Sequence, residues 1–107
     1  MLQVDKDSFQ SEVLDAQDLV LVDYFGDGCV PCEALMPDME ALAEQYGSEL
    51  KFVKLNTTAA RRLAIGQKVL GLPTITIYKN GEKLSELTKD DAVKAKIEAM
   101  IKTALGK

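Results

Sequence analysis

The chain has 107 residues, a net charge of −4 and 47% hydrophobic residues, so it bounds one compact domain, residues 1–107, with enough apolar material for a core. Acids and bases are mixed along it without a basic stripe, which excludes a general nucleic-acid binder. There is no histidine, so the commonest general base and the commonest metal ligand are both missing.

The opening residues MLQVDKDSFQ carry no apolar stretch behind a basic flank and do not read as a signal peptide. The longest apolar run, LVLVDYF, is too short to span a membrane. A soluble, cytoplasmic protein is expected.

In chain order, Leu2–Val4 reads as a short first strand. Asp7 or Ser8 is placed to cap a helix that buries Phe9, Val13 and Leu14. Residues 19–25 are nearly continuous in hydrophobicity and β-branched, as a strand covered on both faces should be. Asp23 stands out within them. From Pro31 to Tyr46 the period is helical, with Leu35, Met36, Met39, Leu42, Ala43 and Tyr46 on one stripe and Gly47 as the stop. Pro37 lies inside that helix and should kink it, because its ring blocks one backbone hydrogen bond. Residues 49–56 read as a strand and 59–69 as a shorter helix.

Residues 74–79 form the next strand, Asn80-Gly81 a tight hairpin turn, and 82–87 the returning partner. Thr88 and Asp91 have the spacing of a capping box. They would open a last helix burying Val93, Ile97, Met100, Ile101 and Ala104, with Gly106 just past its end. The order β-α-β-α-β-α-β-β-α predicts an α/β fold: a central mixed sheet flanked by helices on both faces.

The only two cysteines, Cys29 and Cys32, fall where a buried strand ends and a helix begins. Three readings compete. A zinc site needs about four ligands and this pair supplies two, with only Asp27 or Glu33 nearby to add to them. A structural disulfide closing two intervening residues would constrain the unfolded chain little. A redox-active pair fits the local physics better. The attacking species is a thiolate, and a helix start offers free N–H donors and partial positive charge. Pro31 supports that start by pre-setting φ for the first turn.

The segments LVDYFGDGCVPC (21–32), ALMP (34–37), FVKLN (52–56) and GLPTITIYKNGEK (71–83), followed by an amphipathic helix, resemble the thioredoxin family over essentially the whole chain. The resemblance implies the thioredoxin fold and a protein-disulfide reductase that needs no bound cofactor. Cys29 matches the attacking cysteine and Cys32 the resolving one, the two ending each cycle as a disulfide. Asp23 matches a buried proton acceptor beneath them, and Lys54 the lysine near it. Burial should raise the pKa of that carboxyl group. Leu72-Pro73-Thr74 matches a cis-proline loop that holds the target backbone. Gly71 belongs to the same target-binding surface, as do Gly28, Val30 and Pro31. The implied partners are thioredoxin reductase and disulfide-containing proteins, with the chain acting as a monomer.

Departures from the family pattern cluster at the site. Gly28 replaces a tryptophan, Phe25 stands where another is frequent, Val30 replaces a glycine and Glu33 stands where a base is common. The stretch from Gly81 to Thr88 is shorter than usual and loses a glycine-containing loop near the active-site surface. The GCVPC variant resembles thioredoxins of amino-acid-fermenting anaerobes, which extends the implied targets to a glycine-reductase selenoprotein. Two other functions share these features in part: a glutathione-dependent, glutaredoxin-like enzyme, and a non-catalytic binding module on the same fold. The Val-Pro order and the buried aspartate disfavour the first, and retention of both cysteines disfavours the second.

Overall fold

The computed structural model describes residues 1–107. Its five strands are β1 (Leu2–Val4), β2 (Val20–Phe25), β3 (Lys51–Asn56), β4 (Thr74–Lys79) and β5 (Glu82–Thr88). They form one sheet in the order β1-β3-β2-β4-β5. β1, β3 and β2 are mutually parallel because helical crossovers join them, whereas β4 and β5 run antiparallel through a hairpin. Asn80 (φ 52°) and Gly81 (φ 78°) both take left-handed backbone at that turn, as a two-residue hairpin of this type requires.

β2 sits at the centre and is buried on both faces, which is why its sequence is apolar throughout except at Asp23. Alternate residues feed two cores. Leu21 joins Leu35, Met39, Leu42, Ile97 and Ile101 on one face, under helices α1 (Val30–Tyr46) and α3 (Lys94–Ala104). Val20, Val22 and Tyr24 join Phe9, Val13 and Leu55 on the other. That face is covered by a short π-type helix (Gln10–Leu14) and by helix α2 (Arg61–Gly66). The expected mixed sheet with helices on both faces is the thioredoxin fold. No helix is long and apolar enough to cross a membrane.

Several local expectations are corrected. The first helix has no side-chain cap, from Asp7, Ser8 or any other residue; Asp5 instead closes the turn that precedes it. The Asp5 carboxylate accepts from the N–H groups of Asp7 and Ser8 at 2.9 Å each, and the Ser8 hydroxyl accepts from the Asp5 N–H at 3.0 Å. These bonds hold Asp5 below its ordinary pKa. Leu14 is only half-buried. α2 spans six residues rather than eleven: a 3₁₀ turn (Thr57–Ala59) takes its expected start, and Lys68 turns left-handed (φ 60°) past its end. The N–H groups of Lys68 and Val69 then close back on Ile65 and Ala64 at 2.9 Å each, a pairing that ends a helix. Thr88 and Asp91 form no capping box. A 3₁₀ turn (Lys89–Asp91) intervenes, and α3 starts later without a side-chain cap. Val93, expected inside, is 44% exposed, while Met100 and Ala104 are half-buried. α1 ends at Gly47 as expected, but with right-handed backbone (φ −63°), and it runs through Pro37 unbroken.

Candidate active site

β2 delivers the chain to a short loop, and α1 starts immediately after it. Gly28 takes φ +70°, a conformation that glycine reaches without a Cβ penalty. A Cβ there would touch nothing, so the backbone turn, not space, explains the glycine. The loop is pinned from the next strand. The Thr57 hydroxyl donates to the Phe25 carbonyl at 2.8 Å, the Asp27 N–H donates to the Thr58 hydroxyl at 2.9 Å, and the Asn56 amide donates to the Asp27 carboxylate at 3.0 Å. These anchors carried no recognisable signal in the sequence.

Cys29 is the N-cap residue of α1, with extended backbone, and its sulfur accepts the Cys32 N–H at 3.2 Å. The helix start therefore offers its free donors to sulfur. Cys29 and Cys32 are joined by a disulfide with Cα atoms 5.2 Å apart. Cys29 is partly exposed, whereas Cys32 is 3% exposed. Pro31 lies in the first turn, Glu33 follows on the surface, and Val30 beside the cysteines is 72% exposed.

Asp23 is 1% exposed, and neither carboxylate oxygen receives a hydrogen bond from the protein. Burial pushes its pKa up to about 7, against the opposing pull of the Lys54 charge. Asp23 and Lys54 are direct partners in the β2–β3 register. Both alternate with residues of the opposite core, so both point to the α1 face, where Cys32 lies. Lys54, only half-exposed, lines a surface groove with Gly28, Cys32 and Glu33.

The peptide bond between Leu72 and Pro73 is cis, and Pro73 is buried. The Thr74 hydroxyl donates to the Gly71 carbonyl at 2.6 Å and accepts from the Thr88 hydroxyl at 2.8 Å. The Lys89 N–H donates to the Pro73 carbonyl at 2.8 Å. The loop is thus tied to the end of β5. Pro31 and Pro73 border one groove, and Gly71 and Leu72 border another. Of the residues named from the sequence, Gly28, Cys32 and Lys54 line one groove, Pro31 and Pro73 another, and Asp23 pairs with Lys54 in the sheet. The structure adds Lys89, which pattern reading passed over.

A disulfide closed over the first turn of a helix at the carboxyl end of a buried strand, with one sulfur reachable and the other covered, defines a thiol–disulfide exchange protein. The thioredoxin family model matches residues 1–103. A thioredoxin of Peptoclostridium acidaminophilum is 60% identical over 106 residues, covering 99% of this chain and 96% of that one. A thioredoxin of Acetoanaerobium sticklandii is 57% identical over 102 residues, covering 95% and 97%. Thioredoxin C-2 of Corynebacterium nephridii is 34% identical over 80 residues, covering 75% and 74%. The chain belongs to the thioredoxin family. It is a protein-disulfide reductase of the thioredoxin type, and its partners are disulfide-containing proteins and a reductase that restores the dithiol.

Proposed function

We propose that the 107 residues act as one monomeric, cytoplasmic domain in which Cys29 attacks and Cys32 resolves. The Cys29 thiolate attacks one sulfur of a target disulfide. The target's S–S bond breaks, a Cys29–target disulfide forms, and the other target sulfur leaves as thiolate. Cys32 then gives its proton to the Asp23 carboxylate and attacks the Cys29 sulfur. The target's second thiolate leaves, and Cys29 and Cys32 are left bonded. Two electrons have passed from the dithiol to the target, and a thioredoxin reductase returns them. Lys54, the register partner of Asp23, biases that carboxyl group towards ionisation and opposes burial.

The target backbone lies along Gly71, Leu72, Pro73 and Thr74, with Gly28, Val30 and Pro31 forming the bank on the cysteine side. The likeness to thioredoxins of amino-acid-fermenting bacteria supports a glycine-reductase selenoprotein as one electron acceptor beside ordinary protein disulfides.

The observation that carries the division of roles is the contrast in access: Cys29 is partly exposed at the helix cap, and Cys32 is covered, on the sheet face to which the buried, unpartnered Asp23 also points. The test is a pair of traps. Cys32→Ser should accumulate covalent target adducts through Cys29, and mass spectrometry would identify them, a selenoprotein among them included. Cys29→Ser should accumulate almost none. Equal trapping by both variants would overturn the assignment.

A further inference from the structure

Lys89, just past the end of β5, has φ +54°, a region that residues with a Cβ seldom occupy and that concentrates at functional sites. Its side chain lies over Gly71. A Cβ built on Gly71 would stand 3.0 Å from Lys89 Cγ and 3.1 Å from Cδ, and would run into Cε. A glycine beneath the stem is what lets the stem cross the loop, and the ammonium group is one bond beyond Cε. These two features separate Lys89 from an ordinary surface lysine. It is in none of the four ion pairs of the molecule.

Gly71 also borders the groove beneath α2, where Arg61 is the one charged lining residue and is likewise unpaired. Ile65 (70% exposed) and Leu70 (89% exposed) supply apolar walls there. That groove has no acidic lining residue, whereas the other two near the site carry both signs of charge. Asp38 and Asp90 share the groove by Pro31 with Lys89 and Lys94, and Asp27 and Glu33 line the groove by Gly28 and Cys32.

We propose that Lys89, seconded by Arg61, selects targets whose segment crossing the cis-proline loop carries acidic side chains. The occupant is a target polypeptide, and the surface continues the one along Gly71–Thr74 on which the reading above seats it. The inference rests on that reading. An extended segment laid on Gly71 meets Lys89, whose stem crosses that residue, and Arg61, which lines the groove that Gly71 borders.

The test uses three disulfide-bonded peptides of one sequence, with Asp, Asn or Lys flanking the reacting cysteine on the loop side. The quantity read is the ratio of kcat/KM for the Asp peptide to that for the Lys peptide. The unaltered protein should favour Asp by roughly two- to fivefold at low salt, with the preference shrinking as salt is added. Lys89→Gly, which suits the left-handed backbone, should bring the ratio towards one, and Lys89→Glu should bring it to one or below. An unchanged ratio in both variants overturns the role of Lys89. The structure of the Cys32→Ser mixed disulfide with the Asn peptide separates the two readings. A peptide lying on Gly71–Thr74 with no charge preference sinks the selection alone. A peptide lying elsewhere sinks the loop as target site.

Discussion

A carboxyl group sealed into the central strand has to stay neutral or accept a large penalty, and Asp23 is the residue on which that choice falls. Its pKa is about 7, against an ordinary value of 3.8. Between those two pH values the folded protein holds a proton that the unfolded chain has released, so stability falls as pH rises and levels off above about 7. Three units correspond to a loss on the order of 4 kcal/mol. Asp23→Asn should flatten the profile of the oxidised protein. It should also exceed the parent in stability at pH 8 by about 2 kcal/mol or more, less than the full amount because the amide is itself buried. Denaturant unfolding at pH 4, 6 and 8 measures both, and parallel profiles for the two proteins would refute the assignment. Asp23 was legible in the sequence because a lone charge breaks an apolar run. Lys54 drew notice only through the family likeness, since a lysine in an alternating strand looks like any solvent-facing one. Lys89 gave no signal at all: left-handed positions announce themselves through glycine or asparagine, and a lysine there is visible only in the backbone.

Elements announced by long periodic stretches were the legible ones. α1, β2, β4 and the Asn80-Gly81 hairpin stand where their patterns put them. Ends were less legible, because caps are decided by competition among neighbouring polar groups. Asp5, Asp7 and Ser8 can all cap, yet they are spent on one another: Asp5 takes the N–H groups of Asp7 and Ser8 in the turn before the helix, and Ser8 returns a bond to it. Thr88 fails as a cap because Lys89 turns left-handed and a 3₁₀ turn separates Thr88 from the start of α3 at Lys94. At the start of α1 the cap is a sulfur, and the element's own charge pattern bears on it. Glu33, in the first turn, is a negative group that competes with the Cys29 thiolate for the positive end of the helix dipole and repels it. Glu33→Lys should raise the thiolate fraction of Cys29 at pH 7. It should also make the couple more oxidising by roughly 10 mV, because an exposed pair interacts by only tenths of a kcal/mol. Equilibration against a glutathione buffer reads the potential, and the change should fade in high salt. No change at low salt, or a more reducing couple, would show that the helix start does not feel this charge.

The molecule as a whole divides its work between the two faces of one sheet. The α1–α3 face holds the paired Asp23 and Lys54, and the opposite core seats α2 and the cis-proline loop, with Leu63, Val69 and Leu72 packed against it. That second core contains a polar thread. Tyr24 and Tyr78 are almost fully buried with hydroxyls 2.6 Å apart, and Tyr78 donates onward to the Gln67 side chain at 2.8 Å, at the end of α2. Tyr24 must then be the donor to Tyr78. Burial raises both pKa values, Tyr78 to about 12, so the thread stays neutral and intact at any working pH. Tyr78→Phe removes the middle link. It leaves the Tyr24 hydroxyl buried without a partner, which should cost about 1–3 kcal/mol. Tyr24→Phe should cost less, because Tyr78 still reaches Gln67. In the double variant only Gln67 loses a partner, and its half-buried side chain retains access to water. The double variant should therefore be no less stable than Tyr78→Phe alone, a departure from additivity of about 0.5–1 kcal/mol or more. Urea unfolding of the four proteins closes the cycle. Costs that simply add would mean that the two tyrosines act independently and that the Tyr24–Tyr78 bond contributes no coupling.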